Sequence, residues 1–405
     1  MDINNDNKKM KKRKTICLNM IVKNEENVIK ETLENLCFYI NFDYWVISDT
    51  GSTDQTKEII KDFFKGKDIS GELLEHEWKD FGYNRTKALE CAFNKTDYLL
   101  IFDADDRIAG DFKLPLFFTA DKYNLKIGKD FEYVRPLLIN NRKRWMFQGI
   151  LHEFLLNIDK IKDTCEIIDG DYYIIHGTFG NRSTNPNKYL NDATILKNGF
   201  EKEYAKENGD LYLADRYAFY CAQSYRDCGL IDEAILWYTK VLELNNWIQE
   251  KYYSCYTLGE LYKIKNDNTK AVTYWLKTLE YDPERIEGLI NAVEYYYSIG
   301  EHIVVNALYH RFKNYNKNLN LQKKLFVLQY KYTDLLEYYN SISAYYANDK
   351  KSGYLCCKKI ILNNVLMPEL LKKTYENISF YKDLFEKDEE AKVLLLKYKD
   401  NLLLY

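Results

Sequence analysis

The sequence predicts an α/β domain built on a parallel sheet, followed by an all-α domain of helical repeats. Two observations carry that reading. Up to about residue 180, short β-rich apolar runs alternate with segments of helical spacing, the pattern of a parallel sheet wrapped by helices on both faces. Beyond residue 186 the strand-like runs give way to helical pairs whose small and aromatic residues recur in register.

The elements follow in order. Thr15 to Val22 is apolar and β-rich, Glu25 to Phe38 has helical spacing, Tyr44 to Ser48 is a second strand, and Asp54 to Phe64 is a second helix. Leu73 to Trp78, a helix over Asn84 to Phe93, and a strand over Tyr98 to Phe102 continue the alternation. Phe131 to His176 reads as short strands and loops. These boundaries place an α/β domain at 15–185 and a helical domain at 186–405. A basic tail at 1–14, with Lys8, Lys9, Lys11, Lys12, Arg13 and Lys14, reads as solvated and disordered.

In the helical part, aligning Ala222, Gly259 and Val293 also aligns Tyr225, Tyr262 and Tyr296. Ala234, Ala271 and Val305 form a third column, and Tyr238, Trp275 and Tyr309 a fourth. The offsets of 37 and 34 residues lie close to the tetratricopeptide period of about 34, with Pro283 where that repeat ends. Small residues let paired helices approach, and aromatics fill the space between them. An ordinary helical bundle is the plainer alternative, and four concordant columns favour the repeat over 211–315.

Composition removes several classes. A chain of 405 residues, 46% of them hydrophobic, can bury more than one core. A net charge of −3 supplies no global field to recruit nucleic acid or an anionic membrane. The start Met1-Asp2-Ile3-Asn4-Asn5 lacks the apolar run of a secretory signal, and no window approaches the roughly 20 apolar residues of a membrane span. Nine cysteines form no CxxC pair, so a cytoplasmic protein with reduced thiols is expected.

Chemistry is predicted at the strand ends. The run Tyr98-Leu99-Leu100-Ile101-Phe102 stops on Asp103-Ala104-Asp105-Asp106, and ligands of open α/β sheets collect at the carboxyl ends of the strands. Carboxylates at 103 and 105 suit a hard divalent cation, Mg²⁺ or Mn²⁺, shared with a substrate phosphate. That points to a nucleotide-dependent enzyme. Two further junctions, Lys23-Asn24-Glu25-Glu26 and Asp49-Thr50-Gly51-Ser52-Thr53-Asp54, are also polar strand ends. Each alone is explained as well by helix capping; three on one face of a sheet build a single crevice.

This ordered series resembles the family 2 glycosyltransferases of the GT-A fold. The likeness continues through Trp78-Lys79-Asp80-Phe81, Asn84-Arg85, Gly149-Ile150-Leu151-His152-Glu153 and His176-Gly177. It runs on through Asn185-Pro186-Asn187-Lys188-Tyr189 to Ala222-Gln223-Ser224-Tyr225-Arg226-Asp227, and is similar to the subgroup that carries tetratricopeptide-like repeats after the GT-A domain. It covers about residues 15 to 300. The resemblance implies a hexosyltransferase-type enzyme that moves a sugar from a nucleotide-diphosphate sugar to an acceptor protein or glycan with inversion.

It also implies roles. Asn24, Glu25 and Asp49, with Gly51 in the same turn, would line the nucleoside pocket. Asp103 and Asp105 would form the DxD motif, and His176 would be a third metal ligand. Inversion requires a base for the acceptor hydroxyl. Glu153 is the first candidate and Asp106 the second; His152 adjoins Glu153, and neighbours on a regular strand point to opposite faces, so at most one of that pair enters the site. Arg85 is weighed evenly between a phosphate contact and a surface helix arginine. Phe81-Gly82-Tyr83 and Thr86 depart from the family pattern. The repeats would hold the acceptor or mediate self-association. Two other readings are a catalytically idle domain on an interaction scaffold and a nucleotidyltransferase.

Overall fold

The computed structural model describes residues 13–129, 133–159, 162–177, 185–315, 323–364 and 366–393. Most of the basic tail lies outside the described residues, but Arg13 is anchored by an ion pair to Asp43 (2.7 Å). The chain forms two compact units, 1–228 and 229–405.

The first unit opens with four parallel strands. β1 (Ile16–Val22) runs between β2 (Tyr44–Asp49) and β4 (Tyr98–Ile101), and β3 (Gly71–Glu75) lies outside β2. Alternation along β1 explains its two-sided burial. Ile16, Leu18, Met20 and Val22 pack with Ile29, Leu33 and Leu36 of α1 (Ile29–Tyr39) and Ile60 and Phe64 of α2 (Thr56–Gly66). On the opposite face Cys17 packs with Leu89 and Ala92 of α3 (Phe81–Ala92).

The region read as irregular contributes most of the remaining strands. They are β5 (Arg107–Gly110), β6 (Lys122–Ile127), β7 (Tyr133–Asn140), β8 (Trp145–Gln148), β9 (Phe154–Asn157), β10 (Cys165–Ile167) and β11 (Tyr172–Ile175). The nine-stranded sheet has the order β3-β2-β1-β4-β7-β6-β11-β5, with β10 on β6. It is therefore mixed rather than parallel throughout, because β7 runs antiparallel to β4 and β6 antiparallel to β7. β8 and β9 form a separate antiparallel ribbon packed beneath α3.

Two helices complete this unit, α4 (Lys188–Ala205) and α5 (Leu211–Asp227). Gln148 Nε2 donates to Asp210 Oδ2 (2.7 Å) and the Ile150 N–H to the Tyr217 hydroxyl (2.9 Å). Gly199 leaves room for Ile150, whose Cδ1 would lie 2.6 Å from a Cβ placed there. The division between units thus falls two helices beyond the boundary read at 185.

The second unit contains α6 (Ile231–Glu243), α7 (Ile248–Ile264), α8 (Asn268–Tyr281), α9 (Glu287–Ser298), α10 (His302–Phe312), α11 (Leu335–Tyr346), α12 (Lys350–Asn363) and α13 (Pro368–Asn377). The sequence columns fall on buried positions: Ala234, Ala271, Val293 and Val305 are fully enclosed. Gly259 lets the Trp275 ring lie flush on α7, since a Cβ there would meet ring atoms at 2.3 Å.

The face of α7 and α9 is covered by the chain's own residues 323–333. Arg285 donates to the carbonyls of Leu325 (2.7 Å) and Phe326 (3.1 Å), and pairs with Glu287 (2.7 Å). Phe326 packs edge-on against Tyr253 (5.0 Å), and the Tyr332 hydroxyl donates to Glu287 (2.6 Å). Lys331 is buried with them, and burial lowers its pKa.

All nine cysteines are free thiols. Among the described residues no helix is long and apolar enough to cross a membrane. Gly259→Ala is expected to cost about 1–3 kcal/mol by overpacking Trp275. Gly66→Ala, with nothing within 4 Å of the added carbon, is expected to be neutral; urea melts of both variants check the contrast.

Candidate active site

The floor of the site is made where β1 and β2 hand over to their helices. Asn24 adopts a left-handed conformation (φ +57°), which asparagine tolerates better than most residues. Its N–H donates to Ser52 Oγ (2.9 Å), and its Oδ1 accepts from the Thr53 N–H (2.8 Å). The Glu25 N–H donates to Thr56 Oγ1 (2.7 Å) and the Glu26 N–H to Asp54 Oδ2 (3.2 Å). Asp54 Oδ1 also accepts from the Thr56 N–H (3.0 Å), so the capping role and the bridge between loops are one arrangement.

Asp49 ends β2 inside this lattice and is 1% exposed. Its Oδ1 accepts from the N–H groups of Gly51 (2.9 Å) and Ser52 (2.8 Å). Gly51 makes that turn at φ +102°. The other oxygen, Oδ2, is buried with no hydrogen-bond partner. A buried carboxylate oxygen without a donor is costly; here it marks a place where a donor is missing.

The wall is held by Arg85. Asp80 caps α3 by accepting from the Tyr83 N–H (2.8 Å), and Gly82 lies so close to Gly149 that an added Cβ would sit 2.5 Å from its carbonyl oxygen. Thr86 Oγ1 accepts from the Phe147 N–H (2.9 Å). Gly82 and Thr86, where the sequence departs from the family pattern, are thus what docks α3 on β8. That docking places Arg85 between two carboxylates: Nε donates to Glu153 Oε1 (2.6 Å) and a terminal nitrogen to Asp103 Oδ1 (2.5 Å). Arg135 of β7 approaches the second Asp103 oxygen (3.6 Å). Burial alone would raise the Asp103 pKa; the two guanidinium groups outweigh it and hold the carboxyl well below the ordinary carboxylate range.

Asp106 turns the other way. It is 3% exposed, and its Oδ1 meets His176 Nδ1 (3.1 Å) and accepts from the Gly177 N–H (3.1 Å). His176 Nε2 meets the Tyr133 hydroxyl (2.5 Å), and burial pushes that phenol up to about 12 against the opposing pull of Arg135. Gly177 presses on Asp105, whose carbonyl oxygen would lie 2.1 Å from a Cβ at 177. Asp105 and His176 therefore lie on touching segments.

His152 and Glu153 precede β9 rather than lying on a regular strand, so strand alternation does not apply to them; a turn with Gly149 at φ +120° and His152 at φ +53° separates them instead. Glu153 points in to Arg85; His152 is exposed and stacks on Tyr220 (3.9 Å between ring centres).

The structure thus gathers Asp103, Glu153 and Arg85 in one cluster, and Asp106 with His176 in a second. Asn24, the Glu25 backbone, Asp49 and Gly51 form the floor. Asp103, Asp105 and His176 do not converge as one set of metal donors; among the described residues no three His, Cys, Asp or Glu groups do. Arg135 and Tyr133 were not singled out in the sequence, since they lie on a strand read as irregular, and only charge inside an apolar run, Tyr133-Val134-Arg135-Pro136-Leu137, signalled them.

Residues 17–128 match the family described as Glycosyl transferase family 2. The resemblance read from the strand ends is borne out over the segment that carries Asn24, Asp49, Arg85 and Asp103 to Asp106. Among solved structures, TarS 1-349 from S. aureus in complex with UDP-GlcNAc is 14% identical, covering 66% of this chain and 90% of that one with a TM-score of 0.32. Mannosyltransferase PcManGT from Pyrobaculum calidifontis, in complex with GDP-Man and Mn²⁺, is 12% identical over 66% and 88% of the two chains, with a TM-score of 0.34. A tetratricopeptide repeat protein from Parabacteroides merdae ATCC 43184 is 16% identical over 53% and 73%, with a TM-score of 0.32.

Arg85→Met is expected to leave the enclosed Glu153 and the half-buried Asp103 without their shared cation, at a cost of about 3–5 kcal/mol. Arg85→Lys, a point charge in place of a fork, is expected to recover only part of it. Denaturant melts of the three proteins decide.

Proposed function

We propose that this protein transfers a sugar from a nucleoside-diphosphate sugar to an acceptor hydroxyl on a protein or glycan, with inversion at the anomeric carbon. The observation that carries the reading is Asp49 Oδ2, a buried acceptor with no donor at the end of a strand that belongs to the family-matched segment. A nucleobase N–H supplies that donor. Because Oδ1 already takes two backbone N–H groups, one acceptor site remains. A base with a single ring N–H, as uracil has at N3, suits it better than guanine, whose adjacent N–H groups match a carboxylate with both oxygens available.

Glu153 is proposed as the base. Arg85 holds one of its oxygens and fixes the carboxylate at the crevice, so that the other can take the acceptor proton as the acceptor oxygen bonds to the anomeric carbon and the diphosphate departs. Asp106 is engaged instead with His176 and Gly177, which suits a residue that orients the histidine rather than a second base. Arg135 contributes positive charge on the side of Asp103 where the diphosphate would lie.

The donor set fits a divalent cation that arrives with substrate. Asp103 is committed to guanidinium groups and no three-donor cage exists among the described residues, but Mg²⁺ and Mn²⁺ characteristically take one or two protein ligands plus phosphate oxygens and water. Asp105 would hold it together with phosphate oxygens; His176, whose two ring nitrogens already meet Asp106 and Tyr133, does not fit as a further ligand. Bound there, such an ion neutralises charge on the leaving diphosphate. Nine cysteines with no disulfide among them suit the reducing cytoplasm.

The test is nucleoside diphosphate release from a panel of UDP-, GDP- and dTDP-sugars with Mn²⁺ or Mg²⁺. UDP release that Asp105→Asn abolishes supports the proposal; no release and no nucleotide binding would transfer the reading to an interaction scaffold. Asp49→Asn keeps the acceptor for the Gly51 and Ser52 N–H groups but turns a donor toward the base. It is expected to weaken UDP binding by about 1–3 kcal/mol, as titration calorimetry would show.

A further inference from the structure

The turn that carries Glu153 has little of its own to hold it. Gly149 and His152 are both at positive φ, and as strands β8 and β9 pair only with each other among the described residues. A histidine in the left-handed region is strained and persists only when its surroundings impose it.

α3 holds the first half of the turn, the Gly82 and Phe81 N–H groups donating to the carbonyls of Gly149 (3.1 Å) and Ile150 (3.4 Å); the hold on His152 comes from α5, 64 residues further along the chain. Arg216 Nε donates to the His152 carbonyl (2.9 Å), and the Tyr217 hydroxyl accepts from the Ile150 N–H (2.9 Å). The His152 ring lies on Tyr220 with 7° between the planes. Arg216 lies against both the Tyr220 ring (4.8 Å) and the Phe154 ring (5.2 Å), tying helix to ribbon on either side of Glu153. Because 152 and 153 are adjacent, holding His152 out on Tyr220 directs Glu153 in toward Arg85.

We infer that α5 is a working part of the catalytic unit, with Arg216 and Tyr220 as positioning residues that aim Glu153 at the acceptor. This rests on the reading of Glu153 as the base. A helix that the repeat pattern assigns to the second domain would then belong, in function as in packing, to the first.

The experiment uses the full chain, UDP release from the preferred UDP-sugar with Mn²⁺ as the readout, and water as acceptor. Arg216→Ala and Tyr220→Ala are expected to lower kcat on the order of 10- to 100-fold, with the donor KM and UDP affinity retained. Tyr220→Phe, which keeps the ring, is expected to recover most of the rate. Full kcat in the Arg216→Ala/Tyr220→Ala double variant would overturn the inference, as would a loss that tracks UDP affinity or melting temperature. Glu153→Gln separates the two layers. If it abolishes turnover while the double variant remains active, the positioning role alone fails; if it retains turnover, the base assignment fails and the positioning role with it. Absence of UDP release by the unaltered protein would remove the reading on which both stand.

Discussion

The Arg85 guanidinium is the joint on which the site depends. It connects α3, the end of β4 and the turn between β8 and β9, three segments with no local sequence relation. Burying charge is costly unless the partners are close and well oriented, and arginine meets that condition with a planar fork that stays charged. Without it, Asp103 and Glu153 would be like charges in a partly dry cleft, and the turn would lose its inward anchor. With Arg135 on the far side of Asp103, the orientation of that carboxylate is set by two guanidinium groups.

Regular and irregular backbone divide the labour around this joint. The central strands β1, β2 and β4 are ordinary and nearly wholly buried, so they act as a rigid base. Four residues at positive φ sit in the loops that meet the crevice, Asn24 and His152 at a cost and Gly51 and Gly149 without one. Each is held by hydrogen bonds from a different segment: Ser52 and Thr53 for Asn24, the Asp49 carboxylate for Gly51, α3 for Gly149 and α5 for His152. Strain of this kind accumulates where geometry matters for binding or chemistry.

Much of this was legible in the sequence because strand ends and helical columns are local signals. Asp49 and Asp103 could be read from apolar runs that stop on acids, and Ala271 or Trp275 from recurring spacing. Strand alternation was the wrong ground for separating His152 and Glu153, which lie in a turn before β9 built on a left-handed residue that periodicity cannot reveal. Arg85 looked like either a phosphate ligand or a surface residue, since its burial comes from Gly82 and Thr86 docking on a ribbon 61 residues away. The sheet's antiparallel half was hidden in short strands without clear alternation. The compact units divide at 228 and the sequence reading at 185 because α4 and α5 have the grammar of the repeats and the contacts of the α/β domain.

The segment 323–333 lying along α7 and α9 changes what the repeats can offer. A segment tethered to the surface it covers is present there at an effective concentration set by its linker, typically millimolar for short flexible tethers. Any free peptide approaching that face meets a resident competitor with Arg285, Gln249 and Glu287 already engaged. The repeats therefore behave, along this face, as a receptor permanently titrated by its own ligand, and selectivity for an outside partner has to be encoded on other surfaces.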